Sequence, residues 1–482
     1  MRTTMWAWLI GLATLTGCGW PVLTPAPATR GDLAEALLAV ETAIEDTPPA
    51  AADVPSVNQR FDQATIQFFT GRTSEATRAL RALASTLLTG TPPAGELDVR
   101  QRLRVRIEPH TYHAGGPAPV ARLGAMLPLG GLLPQSYRVN LRAVGPGDAV
   151  AFEAQADLLT VGGYVELAMP LPRPTTPPGL YRVELTGADG PPVVATRWRL
   201  VPEPLTPQRD ALLARLAALS PADALLADAV AIARARAGLL VDTPSENDSA
   251  AFLADPTVLL AEVTAEVAAL EAGANPYVRR VGDTWRVLPD GPAPLPLRVY
   301  APPAAADDAP LPLVLALHGA GGDENLFFEG YGAGVLKRLA EQHGFVVVAP
   351  RTEPLLLRAG LGARLIADVQ RYYAIDPDRI YVLGHSLGAV AAAQLAGAEP
   401  DAFAGVVLLA GGPNVVAYTA LPPTRMIAGA LDPISPLPRL RTAAEAAQAA
   451  GLPVTLHVVD GYGHTLLVGA QLEAAIAWLL DQ

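Results

Sequence analysis

The sequence predicts a multidomain chain. Its C-terminal part is a mostly parallel β-sheet with flanking helices, preceded by a β-sandwich-like domain and helical segments. Three observations lead there. The chain has 482 residues, more than one ordinary domain holds. The spacing of apolar residues changes from helical to a period of two near residue 97 and returns to helical near 205. Beyond 277, short continuous apolar runs alternate with helical spacing, the pattern of strands buried on both faces and joined by crossover helices.

The composition excludes several roles. Half the residues are apolar and 17% are charged, so cores are easily supplied. The net charge is −12, with Lys337 the only lysine and no basic run, so no nucleic-acid partner is expected. Cys18 is the only cysteine, which rules out an intramolecular disulfide or a cysteine zinc site. His110 and His113 lie three apart beside Pro109 and Gly115-Gly116, with no third ligand suggested, so no metal is expected.

Residues 1–17 read as an export signal. Arg2 is followed by the short apolar stretch Trp6 to Ala13, too short for a bilayer span of roughly 20 residues. It ends in Leu15-Thr16-Gly17-Cys18, which resembles the bacterial lipoprotein cleavage motif. That resemblance implies acylation of Cys18, attachment to a membrane through the lipid, and an extracytoplasmic location in the cell envelope. Gly19, in place of an aspartate, implies the outer membrane in a Gram-negative host. Residues 18–30, with Pro21, Pro25 and Pro27, read as a tether.

The spacing predicts a helical segment over 31–95. Leu33, Ala36, Leu37 and Val40 share a face, Pro48-Pro49 break the chain, and a helical pair follows with Gly71 at its turn. Over 96–203, Leu103, Val105 and Ile107 alternate with polar residues, as do Tyr137, Val139 and Leu141, then Tyr181, Val183 and Leu185. Turns such as Gly145-Pro146-Gly147-Asp148 separate the runs, so an immunoglobulin-like sandwich is expected. Residues 204–275 read as a helical connector and 276–482 as a catalytic domain.

In that last domain the apolar run Tyr381-Val382-Leu383 leads into Gly384-His385-Ser386-Leu387-Gly388, followed by an alanine-rich helical stretch. A G-x-S-x-G motif between strand and helix is a nucleophile elbow, whose tight turn demands small flanking residues. Serine needs an adjacent base. His464, in Asp460-Gly461-Tyr462-Gly463-His464 after the last strand, supplies it. The imidazole needs an acid to hold one tautomer. Asp432, just after Arg425 to Ala428, is that acid, and Asp460 is the rival. Backbone amides of Ala320, in His318-Gly319-Ala320-Gly321-Gly322, and of Leu387 are expected to hold the oxyanion. Gly319, Gly321, His385 and Phe327 are candidate substrate-lining residues, with Phe328 and Tyr331 beside them. His318 is expected to be structural, His343 to end a helix and His457 to lie in a strand.

These motifs, together with Asp376-Pro377-Asp378-Arg379-Ile380-Tyr381 and Leu431-Asp432-Pro433, resemble the α/β-hydrolase superfamily, in its polyhydroxybutyrate-depolymerase and feruloyl-esterase branch and the related predicted peptidases. The resemblance covers roughly 280–482. It implies a carboxylic-ester hydrolase working through an acyl-enzyme, with no cofactor. The chain departs from that pattern at Ala428 to Asp432, where relatives carry a histidine. The short segment from Gly411 to Pro423 leaves no room for a large lid, so an open site for bulky or polymeric esters is expected. The competing readings are a peptidase on the same triad and a surface-binding lipoprotein with an idle hydrolase domain. Residues 31–275 are expected to space the enzyme from the membrane. Activity on esters should fall as pH drops through the ordinary histidine range near 6.5. A rate profile flat from pH 5 to 8 excludes a histidine base.

Overall fold

The computed structural model describes residues 26–129, 136–159, 166–245, 249–289 and 293–482. The export signal and Cys18 lie outside the described residues. Four helices come first: α1 (Arg30–Asp46), α2 (Val54–Phe69), α3 (Thr73–Thr89) and the short α4 (Gly95–Arg102). Thr29 and Asp32 cap α1 reciprocally, which satisfies amides that the first turn leaves without partners. Gly71, at φ +77°, turns the chain between α2 and α3. Val40, Phe61 and Leu83 of these helices share one buried cluster with Leu466, a residue from the far end of the chain.

Eight strands follow: β1 (Leu103–Glu108), β2 (Thr111–Tyr112), β3 (Val120–Ala125), β4 (Ser136–Val144), β5 (Val150–Leu159), β6 (Glu166–Pro170), β7 (Gly179–Thr186) and β8 (Val193–Leu200). They form a three-stranded sheet ordered β1-β3-β6 and a five-stranded sheet ordered β2-β8-β7-β4-β5. The alternating apolar residues of both sheets, with fully buried Trp198, share one core. Its indole N–H donates to the Pro109 carbonyl at 3.0 Å, so the buried ring leaves no donor unsatisfied.

Residues 205–271 form α5 (Leu205–Ala217), α6 (Ala224–Ala237), α7 (Ser249–Leu253) and α8 (Pro256–Glu271). They are more than a connector. Their apolar residues belong to the same buried cluster as one face of the catalytic sheet. Buried Arg236 ties them in, pairing with Glu266 at 2.9 Å and donating to the Trp285 carbonyl at 2.6 Å.

The catalytic sheet comprises β9 (Gly282–Leu288), β10 (Leu295–Ala301), β11 (Leu311–Leu317), β12 (Val346–Pro350), β13 (Ile375–His385), β14 (Gly405–Leu409), β15 (Thr424–Gly429) and β16 (Val454–Val459). Its order is β9-β10-β12-β11-β13-β14-β15-β16, with β10 antiparallel to both neighbours and parallel pairing from β12 onwards. Leu313, Leu315 and Leu317 face one cluster while Val314 and Ala316 face the other, which is why the run reads as continuously apolar. Helices α11 (Leu361–Tyr372), α12 (Leu387–Ala398) and α13 (Leu437–Ala449), preceded by the short α10 (Glu353–Leu357), cover the first face; α9 (Val335–His343) and α14 (Leu466–Leu480) cover the second. Crossovers reverse direction between β11 and β13, so the loops after these adjacent strands meet at a switch point, where such sheets place their sites. Among the described residues no helix is long and apolar enough to cross a membrane.

Helix α1 lies between the sandwich and the catalytic domain. Toward the sandwich, Asp32 pairs with Arg104 at 2.9 Å, and Glu35 with Arg197. Toward the catalytic domain, Glu41 accepts the Gly332 amide at 3.1 Å, and Glu45 pairs with Arg338 at 2.8 Å. Burial pushes the Glu41 carboxyl up to about 8.

Candidate active site

Strand β13 ends at His385 and α12 begins at Leu387, leaving Ser386 alone to make the turn. Its φ of 54° and ψ of −112° are unfavourable for a residue with a side chain, and the closely packed turn holds them there. A Cβ on Gly388 would lie 1.9 Å from the Leu317 carbonyl oxygen, so α12 approaches β11 too closely for any larger residue. The alanines of α12 continue that close fit against the sheet. The half-buried Ser386 sits at the positive end of α12 and lines a cavity of about 180 Å3.

Asp432 follows β15. One carboxylate oxygen accepts the amides of Ile434 and Ser435, both at 2.8 Å, which fixes its plane. The other lies 2.8 Å from His464 Nδ1. Nδ1 donates to this carboxylate, so the neutral ring keeps Nε2 as the proton acceptor. Asp432 and His464 are buried, and His464 lines the same cavity as Ser386. Asp460, the rival acid, is exposed.

Two further histidines are buried beside the elbow. His385 accepts from the Tyr331 hydroxyl at 2.6 Å through Nδ1, and its Nε2–H donates to the His464 carbonyl at 3.2 Å. Burial, and then the neighbouring His464, hold it well below the usual imidazole range, so it is a neutral strut for the His464 loop. His318 donates from Nδ1 to the Gly319 carbonyl at 2.9 Å and accepts the Thr352 amide at 3.0 Å. Both nitrogens are engaged, which fits a structural role. Its ring shapes the loop that carries Ala320.

Gly319, Ala320, Gly321 and His385 line the cavity. Leu387 is not among the lining residues, but its amide opens α12 and has no intrahelical acceptor. Among the described residues, neither it nor the Ala320 amide donates to a backbone carbonyl. Both stay available for an anionic oxygen. Phe327 does not line the cavity. A single π-helical turn, Leu326–Gly330, directs Phe327 and Phe328 into the core, where both are fully buried, and brings Tyr331 to the wall in their place.

Sequence reasoning missed the contribution of α2. Asp62 accepts the His464 amide at 2.9 Å and the Thr465 amide at 3.4 Å. Asn58 accepts the Gly463 amide at 2.9 Å. A Cβ on Gly463 would lie 1.8 Å from an Asp62 oxygen, so the glycine is what lets the helix come this close. The available signal was local: Asn58 and Asp62 stand four apart on one face of α2, beside Val57 and Phe61, where polar residues are out of place. The site also has walls that the sequence did not suggest. The segment from Gly411 to Pro423 is indeed short, but α1, α2 and α7 wall the cavity from elsewhere in the chain. Among the described residues no group of three potential ligands could hold a metal.

No family model matches the chain. Over 120 residues it is 33% identical to poly(3-hydroxyalkanoate) depolymerase C of Paucimonas lemoignei, covering 21% of this chain and 28% of that protein. Over 161 residues it is 28% identical to feruloyl esterase B of Talaromyces funiculosus, covering 30% and 42% respectively. A solved ferulic acid esterase superposes with a TM-score of 0.36 at 17% identity, over 41% of this chain and 98% of that one. The chain is thus related in sequence to the depolymerases and feruloyl esterases its motifs resemble, and it spans less than half the length of these two curated relatives.

Burial pushes the Asp62 carboxyl up to about 6; the His464 amide and ring oppose the shift, and Asp432 adds to it. The folded value lies above the unfolded one, so the folded state binds the proton more tightly and stability rises as pH falls from 6 towards 4. In urea titrations the wild type should gain stability over this window by up to about 3 kcal/mol relative to Asp62→Asn. Parallel pH dependence of the two proteins contradicts this burial.

Proposed function

We propose that this chain is a serine esterase that cleaves carboxylic esters through an acyl-enzyme. The observation that carries the reading is the buried Asp432–His464 pair at 2.8 Å, whose histidine lines one cavity with a serine on a strained strand-to-helix turn. In this reading His464 Nε2 takes the Ser386 proton as Oγ attacks the ester carbonyl. Negative charge collects on the carbonyl oxygen, faced by the Ala320 and Leu387 amides and the positive end of α12. The tetrahedral adduct collapses, the ester C–O bond breaks, and His464 returns the proton to the departing alcohol. Water, deprotonated by His464, then attacks the acyl-serine; the acyl C–O bond to Ser386 breaks, His464 returns the proton to Oγ, and the acid leaves. Asp432 keeps the imidazole in the required tautomer throughout and stabilises its charged form.

The curated relatives support ester over peptide substrates, since those named above are an ester depolymerase and a feruloyl esterase. Export and anchoring through Cys18 belong to the same proposal and rest on the N-terminal motif. A fluorophosphonate probe should label the folded wild type and leave Ser386→Ala unlabelled, with ester turnover lost by at least about 1,000-fold. An unlabelled wild type, or a labelled Ser386→Ala, overturns the assignment.

A further inference from the structure

The N-terminal helices do more than brace the catalytic loop. They supply much of the apolar wall of the cavity that opens on Ser386, through Leu33, Leu37, Phe61 and Phe68, with Phe252 of α7 and Leu326 completing it. We infer that this wall is the acyl-binding pocket, and that the chain selects esters whose acyl part is a compact apolar chain or ring. The inference rests on the esterase reading and specifies its substrate.

The wall is fastened to the loop that carries Ala320. Arg30 donates to the Gly321 carbonyl at 2.8 Å. Ser249 bonds the Asp323 carboxylate and accepts from Asn325 at 2.7 Å. The Phe68 ring lies over Gly321, where a Cβ would come within 2.6 Å of it. The helices and the loop are therefore shaped to each other, and the cavity between them is a built feature. Its volume of about 180 Å3 compares with apolar protein cavities of about 150 Å3 that hold a benzene ring. Room of that order suits an acyl group of about six to eight carbons.

The two-step chemistry decides which half of the ester the pocket holds. The alcohol must leave and water must enter while the acyl group stays bonded to Ser386. The part that stays gains from a walled pocket, and the part that leaves needs a path to solvent. An apolar lining also shields the acyl-enzyme and gives binding energy that grows with each methylene buried.

The test uses the full chain and p-nitrophenyl esters from acetate to dodecanoate, with fluorophosphonate labelling run alongside to report a competent Ser386. The expected kcat/KM rises up to about fourfold per methylene, peaks near hexanoate to octanoate and then falls. Ala34→Trp, which fills the cavity from a half-buried position on α1, should lower the octanoate-to-acetate ratio at least tenfold. Phe68→Ala should move the peak to longer chains. A labelled protein with a flat acyl profile overturns the pocket and leaves the esterase reading standing. So does a profile that responds to alcohol length at fixed acyl length. A protein that neither labels nor turns over esters overturns both.

Discussion

The backbone of the His464 loop is held by side chains that lie some 400 residues earlier in the chain. Asp62 takes the amides of His464 and Thr465, and Asn58 takes that of Gly463. A loop rich in glycine is a poor platform for a general base, because each glycine adds conformational freedom that the catalytic geometry must suppress. Three amide bonds to one buried helix face suppress it. His385 holds the same loop from the other side through the His464 carbonyl, and Asp432 holds the ring. His464 is thereby fixed at its amide, its carbonyl and its imidazole.

This bracing links the parts of the chain into one packed unit. Helix α1 is tied to the sandwich by Asp32 and Glu35 and to the catalytic domain by Glu41 and Glu45. Buried Arg81 of α3 donates to the Leu103 carbonyl at 2.7 Å, where the sandwich begins. The sandwich therefore acts as a buttress for the helices that wall the cavity. Leu466, the first residue of α14, closes the helical core only two positions beyond His464. Loss of packing among the N-terminal helices would be felt at His464 itself.

The catalytic sheet was legible in the sequence because its signals are local. Runs such as Leu313 to Leu317 are buried on both faces, and the elbow at Ser386 is readable from five consecutive residues. The position of Asp432 after a strand was readable, and the structure places it, not exposed Asp460, 2.8 Å from His464 Nδ1. The sandwich strands were legible from strict alternation. The roles of Asn58 and Asp62 were not, because a contact across such a chain separation leaves no periodic trace. Phe327 was misplaced because a π-helical turn alters which residues face the wall. The added walls were missed for a related reason: a short segment after β14 says nothing about lining supplied by helices at the other end of the chain.

Whether α2 immobilises the loop bearing His464 can be read from amide hydrogen exchange resolved at His464 and Thr465. Both amides should be protected to the same degree as the interior amides of α2, and should lose protection together with that helix as denaturant is added. Exchange at the rate of an exposed turn, while α2 remains protected, would contradict it.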